Sequence, residues 1–320
     1  MCISFAKPTN FLEDTVKRIV ALLVLTAMSA MLFACGSPSA TTTSYTTVGS
    51  TATAGLPALP GGDPVTPYAD IDFFGGEIKD NKGVIAFEIK TSGEVKAAYI
   101  EKLPIKFMGV EKALPVLCIK SEGTWVKGVF SEFENNAEFD AFVAENGGFS
   151  IEVFYLDNST TGANRGIVCS TESISGDAKR SGWGIAESAS GAPYFITGHT
   201  AENEYSSVYA AVASQDEFVH VVGVYNAETK RNAIYVNGKL VSSDSAAGAF
   251  TSANKTEAYE GFNMANVFYI GADPSSTAGL ENKCDFSAND LMVLDIKFYK
   301  GALTEAEVKT VYASGARVFE

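Results

Sequence analysis

The sequence predicts an all-β fold, a two-sheet antiparallel sandwich with one short C-terminal helix. From Tyr68 onward, short runs rich in β-branched and aromatic residues alternate with turn signals, as is typical of strands. Asn237-Gly238 lies between two such runs and predicts a type I′ hairpin turn, because that turn needs positive φ at both central positions. The chain is 46% hydrophobic and 19% charged, so it can bury a core, and its length suits a single sandwich domain over residues 67–320.

The elements of this domain can be placed in order along the chain. A helix is predicted over residues 136–145, before the clearest strands. The strand runs alternate apolar with polar residues or form short apolar stretches, as half-buried or buried strands do. The predicted strands are residues 149–155, 219–225, 233–236, 239–242, 267–270 and 291–299.

A second helix is predicted near the C-terminus. Thr304 and Glu307 have the spacing of a capping box, and Leu303 with Val308 has that of a hydrophobic staple. Gly315 is expected to close this helix. The face expected to pack inward consists of Val308, Val311 and Tyr312.

The N-terminal residues 1–34 are predicted to be a signal peptide. Lys17 and Arg18 are followed by an uncharged apolar run over residues 19–33. A run of about 15 residues suits a signal peptide, whereas a helix that spans the membrane needs about 20. A single transmembrane anchor is the alternative interpretation.

The residues after this run resemble the lipobox of bacterial lipoproteins. Leu32-Phe33-Ala34-Cys35 has the leucine, the small residue and the cysteine of that motif, although Phe33 is larger than the residue usual there. The resemblance implies a diacylglyceryl group on Cys35 and an exported protein anchored in the cell membrane or envelope. Residues 35–66 are then a tether rich in Ser, Thr, Gly and Pro, which cannot bury enough apolar surface to fold.

The net charge and the cysteines limit which partners, metal ions and disulfides the domain can have. The net charge of −14 argues against nucleic acid and against an anionic membrane bound by charge. The abundant carboxylates allow a calcium site. In the domain, Cys118, Cys169 and Cys284 permit one disulfide with one free thiol, or three buried thiols, and their spacing fits no zinc motif.

The later strands resemble the LamG-like jelly-roll domains of the concanavalin A-like lectin/glucanase superfamily. Residues 217–225 and 233–240 are similar to that family's "WHHVA-x-x-Y…LYVNG" pattern, with Phe218 in place of the usual Trp. The resemblance implies a jelly roll. The other similar segments are residues 149–155, 181–187, 268–273 and 291–312, whereas residues 68–130 match weakly.

The motifs that would indicate chemistry are missing from the sequence. Glucanases of this superfamily carry Glu-x-Asp-x-x-Glu or Glu-x-Asp-x-Glu on one strand, and the nearest match, Asp70-Ile-Asp72, has no Glu partner. His199 and His220 are too few for the dimetal centre of a calcineurin-like phosphoesterase, and we interpret His220 as a hydrogen-bonded sheet residue. We find no serine-hydrolase elbow or P-loop. The sequence therefore predicts no enzyme.

Binding residues are the remaining candidates. Tyr205 and Tyr209 lie among polar residues and are the better surface candidates for stacking on a glycan, with Tyr194 nearby, whereas Trp183 and Phe195 are expected in the core. The candidate calcium ligands are Asp273, Asp285 and Asp290.

The sequence leads to one hypothesis and two alternatives. The hypothesis is a lipid-anchored, non-catalytic module that binds a glycan or surface polymer. The alternatives are a divergent glycoside hydrolase and a spacer or docking module for another cell-surface protein such as a phosphoesterase.

Overall fold

The computed structural model describes residues 64–91, 98–120, 124–159, 162–171, 181–200, 205–212, 216–245, 248–253, 267–274, 284–285 and 288–320. The predicted signal peptide, the lipobox with Cys35, and the predicted tether up to residue 63 lie outside these residues. The chain divides into two units, Met1–Thr46 and Thr47–Glu320, and all described residues belong to the second.

The described part of the chain is built mostly of strands. They are β1 (Ala69–Asp72), β2 (Lys79–Asp80), β3 (Ile85–Thr91), β4 (Ala98–Phe107), β5 (Val110–Ile119), β6 (Thr124–Phe130), β7 (Gly148–Asp157), β8 (Arg165–Thr171), β9 (Gly182–Glu187), β10 (Pro193–Gly198), β11 (Tyr205–Tyr209), β12 (Val219–Asn226), β13 (Arg231–Val236), β14 (Lys239–Ser245), β15 (Val267–Ile270), β16 (Asp273–Pro274), β17 (Cys284–Asp285) and β18 (Leu291–Lys300).

The strands form two antiparallel sheets, which confirms the predicted sandwich. Sheet A has the order β14-β13-β12-β7-β18-β1-β2, and the β4–β5 hairpin joins it through β18. Sheet B has the order β11-β10-β9-β8-β15-β6-β3. The short strands β16 and β17 form a separate pair.

The core lies between the sheets because strand residues alternate in direction. In β7, Ile151 and Val153 point into it, and Trp183 of β9 packs against Phe298 of β18 with ring centroids 5.4 Å apart. Phe195 is also fully buried, so the predicted core positions of Trp183 and Phe195 are confirmed.

The local predictions of turns and helices hold at most positions. Asn237 and Gly238 have φ of 49° and 73° and form the two-residue turn between β13 and β14. Helix α1 (Asn136–Glu145) has the predicted bounds, and helix α2 (Glu305–Ala316) has the predicted capping box. The predicted inward face of α2 is buried and consists of Val308, Val311 and Tyr312.

The prediction that Gly315 ends α2 is wrong. Gly315 lies within the last turn of this helix, and a 3₁₀ turn (Arg317–Phe319) follows. A Cβ atom at Gly315 would lie 2.8 Å from Cε2 of Phe154 and 3.5 Å from Oε1 of Glu152. This glycine therefore serves the close approach of the helix to the outer face of sheet A.

The described thiols and helices bear on two further predictions. Cys118 is a buried free thiol, Cys169 is buried with its Sγ 3.3 Å from the Ile185 carbonyl, and the Cys284 side chain lies outside the described residues. Burial raises the pKa of the Cys118 thiol to about 11, so it packs as a small hydrophobic group.

Neither described helix has the length and apolarity that a membrane span needs.

Candidate functional site

The best candidate site is formed by Tyr194, Tyr205 and Tyr209, here called the tyrosine strip. Tyr194 lies on β10 directly opposite Tyr209 on β11, and Tyr205 lies opposite Gly198. Alternation puts Phe195 and Val208 of these strands in the core, so the three tyrosines share the outer face of sheet B.

The rings of the strip are held in a defined arrangement. Tyr194 and Tyr209 stack with their centroids 4.9 Å apart and an interplanar angle of 30°. Tyr209 is 43% exposed and Tyr205 40%, whereas Tyr194 is 7% exposed and supports Tyr209 from the side. The strip therefore presents aromatic surface to solvent on a rigid sheet.

A buried polar network ties the strip to the opposite sheet. Asn232, on β13 of sheet A, is fully buried, and its Nδ2 donates to Thr197 Oγ1 (2.7 Å) and to the Ser206 carbonyl (3.1 Å). Thr197 and Ser206 belong to β10 and β11, the two strands that carry the tyrosines. Because buried hydrogen bonds between elements fix their geometry, the strip is preorganised.

The chemistry of the strip suits sugars. A tyrosine offers an apolar ring face for stacking and a hydroxyl for hydrogen bonding, so it works in partly wet sites. Ser207 lies between Tyr205 and Tyr209 on the same face and adds an aliphatic hydroxyl to those of the tyrosines. β10 and β11 contain no charged residue.

Two of the three predicted calcium ligands come together. Asp273 and Asp285 lie directly opposite each other in the β16–β17 pair. Asp273 is buried and accepts a hydrogen bond from Thr171, while the Asp285 side chain is outside the described residues. Asp290 instead forms an ion pair with Lys120. No metal-binding group of three acidic, His or Cys side chains occurs among the described residues, and calcium binding stays a prediction.

A buried charge cluster that sequence reasoning missed joins the two sheets. Asp157 ends β7 in sheet A, and its Oδ2 accepts from Arg165 Nε (2.5 Å) in sheet B. Glu187, opposite Arg165 on β9, lies 3.4 Å from the same guanidinium. Burial, and then a hydrogen bond with Asp157, raises the pKa of Glu187 to about 9. These side chains are at most 5% exposed, so the carboxylate pair is closed off from solvent.

A second buried cluster lies on the outer face of sheet A, under α2. His220 Nε2 donates to Glu152 Oε1 (3.0 Å), Tyr299 donates to Glu152 Oε2, and Lys297 lies 3.8 Å from Oε1. Burial alone would raise the pKa of Glu152, but Lys297, His220 and Tyr299 together hold it at about 2. His220 is thus a hydrogen-bonded sheet residue, as predicted.

From the sequence, Asp70 and Asp72 of the Asp70-Ile-Asp72 match are expected to be solvent-facing residues of an edge strand. The structure places β1 between β18 and β2, so this strand is not the edge. Asn81 Nδ2 donates to the carboxylates of Asp72 (2.5 Å) and Asp70 (3.4 Å). The two carboxylates therefore stabilise the turn that follows β2.

A separate cleft of about 300 Å³ lies beside the β4–β5 hairpin. Tyr99, 39% exposed, stands at this cleft. Its lining is mainly apolar and consists of Gly76, Glu77, Ile78, Phe87, Tyr99, Ile100 and Leu117.

Comparison with known proteins gives a family and a set of similar folds. The sequence model of the concanavalin A-like lectin/glucanases superfamily matches residues 132–309, more than half of the chain. No curated protein matches the sequence.

The similar solved structures include binding domains of botulinum neurotoxins. One, of botulinum neurotoxin DC in complex with SialylT, is 13% identical with a TM-score of 0.51, and the match covers 78% of this chain and 51% of that one. The serotype D binding domain is 11% identical, with the same TM-score and coverage. A third, from work on two ganglioside molecules in the cell entry of botulinum neurotoxin type C, is 14% identical with a TM-score of 0.50 and covers 78% and 51%. This chain spans about half the length of these structures, and at such identities the likeness is one of fold.

Proposed function

The chain belongs to the concanavalin A-like lectin/glucanases superfamily, and from this premise we propose that it is a non-catalytic module that binds a glycan or surface polymer through the tyrosine strip. The observation that carries the proposal is the stacked pair Tyr194–Tyr209 with Tyr205 on the same face. One similar fold is described as a binding domain in complex with SialylT, and another comes from work on the interaction of botulinum neurotoxin type C with two ganglioside molecules, which supports a binding role.

The charge distribution favours an uncharged glycan over an acidic one. The chain carries a net charge of −14, and β10 and β11 contain neither Lys nor Arg. An acidic sugar would approach a negative protein without a cation to pair with on β10 or β11. A neutral polysaccharide is therefore the better ligand class.

The buried carboxylates argue against hydrolysis. A glycosidase needs one carboxylic acid and one carboxylate on either side of the scissile bond. Glu187 has the raised pKa that a general acid needs, but it and Asp157 are both buried between the sheets and held by Arg165. The same pair in an open groove would have favoured an enzyme.

We place this module outside the cytoplasm, held by lipid on Cys35. Two acyl chains give stable anchoring, and many anchored copies on one surface turn weak single contacts into avidity. This part of the proposal rests on the sequence of residues 17–35, and it explains why a weak, shallow site would be useful.

The cleft beside Tyr99 favours a second candidate, a docking module for another surface protein. Its apolar lining contrasts with the hydroxyl-rich strip. If docking is the function, Tyr99→Ala should reduce capture of the partner and the tyrosine-strip variants should not.

A glycan array tests the main proposal. Purified protein carrying Cys35→Ser, applied with and without calcium, is expected to bind neutral glycans and to lose that signal with Tyr205→Ala/Tyr209→Ala. Preference for sialylated glycans would contradict the proposed ligand class but would not contradict the tyrosine strip as the binding site. Binding that survives in the double variant would place the site elsewhere, and release of reducing sugar from any polysaccharide would contradict the non-catalytic role.

A further inference from the structure

A further cleft of about 300 Å³ lies where helix α1 meets the turn that follows β12, and it is here called the α1 cleft. This volume is at the lower end of the range of small-molecule sites. Helix α1 contributes Asp140, Val143 and Glu145 to the lining, β12 and its turn contribute Tyr225 and Glu228, and a neighbouring segment contributes Phe250. No residue of the tyrosine strip belongs to this lining, so the cleft is a separate site.

The charged groups at the α1 cleft are all negative. Its described lining contains the carboxylates of Asp140, Glu145 and Glu228 and no Lys, Arg or His. Glu145 and Glu228 are exposed, and neither forms an ion pair with another described residue. The carbonyl end of a helix attracts cations, but the last turn of α1 has no basic residue. The cleft therefore favours a positively charged ligand.

A buried hydroxyl at the same cleft has a proton to donate. Tyr225 is 1% exposed, and its hydroxyl oxygen accepts a hydrogen bond from the Phe250 N–H (3.0 Å). Burial, with a smaller contribution from the charge of Asp140, raises the pKa of Tyr225, so the hydroxyl keeps its proton at neutral pH. This proton has no acceptor among the residues that the structure describes. Because buried donors are normally paired, a ligand oxygen at this position would be stabilised.

Asp140 fixes the walls of the α1 cleft. Its Oδ1 accepts hydrogen bonds from the N–H and the Oγ of Ser252, each 2.7 Å long, and its Oδ2 accepts from Thr251 Oγ1 (2.8 Å). These bonds hold the segment that carries Phe250 against α1, so the cleft is preorganised. Because both oxygens of Asp140 are already engaged, Glu145 and Glu228 are the carboxylates left to meet a cation.

We propose that the α1 cleft binds a protonated amine with a hydroxyl group on a neighbouring carbon, as in an amino sugar. The ammonium group pairs with Glu145 and Glu228, and the ligand hydroxyl accepts the proton of Tyr225. The apolar C–H groups of the ligand pack against Val143 and Phe250, which line the same cleft. A bare metal ion suits the cleft less, since no three acidic, His or Cys side chains of the described chain come together to hold one.

Calorimetric titration with four small probes tests this site. The full chain carrying Cys35→Ser is titrated in phosphate buffer, because Tris is itself an amino alcohol. D-Glucosamine is expected to bind about tenfold or more tightly than D-glucose and N-acetyl-D-glucosamine, which lack the positive charge. Cyclohexylamine carries the charge without a hydroxyl and is also expected to bind more weakly than D-glucosamine. Equal affinities for D-glucosamine and D-glucose, or no binding of D-glucosamine, would overturn the proposal.

Variants assign the binding to the α1 cleft. Glu145→Gln/Glu228→Gln is expected to weaken D-glucosamine binding about tenfold or more. Tyr225→Phe is expected to weaken the binding of D-glucosamine but not that of cyclohexylamine, and a general folding defect would weaken both. The control is Glu111→Gln on the β4–β5 hairpin, which changes the net charge at an exposed position outside the cleft.

Glu111→Gln is expected to keep the affinity of the parent for D-glucosamine. An equal loss in this control would indicate general attraction to a negative protein and overturn the site, as would parent-like affinity in Glu145→Gln/Glu228→Gln. The site does not rest on the proposed function. Tyr205→Ala/Tyr209→Ala is therefore expected to bind D-glucosamine as the parent does, and failure of either site leaves the other intact.

Discussion

At the scale of single residues, the buried pair of Glu187 and Asp157 makes folding stability depend on pH. The pKa of Glu187 is raised to about 9 in the folded chain by burial and by its bond with Asp157. The folded state therefore keeps a proton that the unfolded state releases above about pH 4.3. The contribution of Glu187 to stability is full below that pH and falls as pH rises toward 9.

Glu187→Gln removes this dependence. The amide keeps a donor for Asp157 and has no proton to lose, so the variant is expected to gain stability over the parent at pH 9 and to differ little at pH 4.5. Urea denaturation at both pH values measures the difference. Glu228→Gln, in an exposed turn, is the control. Equal pH profiles for parent and Glu187→Gln would contradict a buried protonated Glu187.

Two opposing effects determine how Gly315→Ala changes the free energy of unfolding. Alanine is favoured over glycine in a helix by about 1 kcal/mol. Overpacking of a well-packed site costs about 1–3 kcal/mol, and the new Cβ would lie 2.8 Å from Phe154. We expect Gly315→Ala to lower the free energy of unfolding by about 1 kcal/mol net.

Chemical denaturation checks this, with Gly75→Ala as a neutral control because its Cβ would meet nothing nearer than 3.9 Å. Stabilisation by Gly315→Ala would show that α2 does not pack closely on sheet A.

At the scale of elements, the sequence correctly predicted the features that depend only on neighbouring residues, such as turns and helix caps. The Asn237-Gly238 turn and the Thr304–Glu307 cap act within a few residues, so their geometry could be derived directly. The bounds of α1 were predicted for the same reason. Gly315 was assigned to the wrong role because a C-cap glycine and a close-approach glycine look alike without the neighbour Phe154.

Interactions between distant strands could not be predicted. Asp157, Arg165 and Glu187 meet because β8 pairs with β9 and faces the end of β7 across the core. Likewise, Tyr194 and Tyr209 were named as separate candidates, and only the register of β10 with β11 stacks them. Pairing register is a non-local property, since a one-residue slip turns every side chain to the other face.

The β16–β17 pair is where calcium is predicted to bind. If Asp273 and Asp285 hold Ca²⁺ across this pair, the ion binds the native state alone and stabilises it. Excess EDTA is then expected to lower the melting temperature, and calcium should restore it. An unchanged melting curve would mean that these carboxylates serve the local structure only.

At the scale of the whole molecule, the proposed function needs the module to be held outside the cell. Cys35→Ser is expected to abolish lipid labelling and to release the protein from the membrane fraction, because the thiol is the only group there that can carry the thioether. Cys118→Ser is the control, since this thiol is buried in the fold. Intact-mass measurement of exported protein with an unmodified Cys35 would contradict the anchor.

The measurement closest to the central claim is calorimetric titration of the neutral glycan that binds best on the array. Loss of stacking is expected to cost about 0.5–1.5 kcal/mol per ring, so Tyr205→Ala/Tyr209→Ala should weaken binding by about tenfold or more while the melting temperature stays near that of the parent. Tyr99→Ala removes a tyrosine of similar exposure from the distant β4 and should bind as the parent does. Parent-like affinity in the double variant, or an equal loss with Tyr99→Ala, would contradict the tyrosine strip as the binding site.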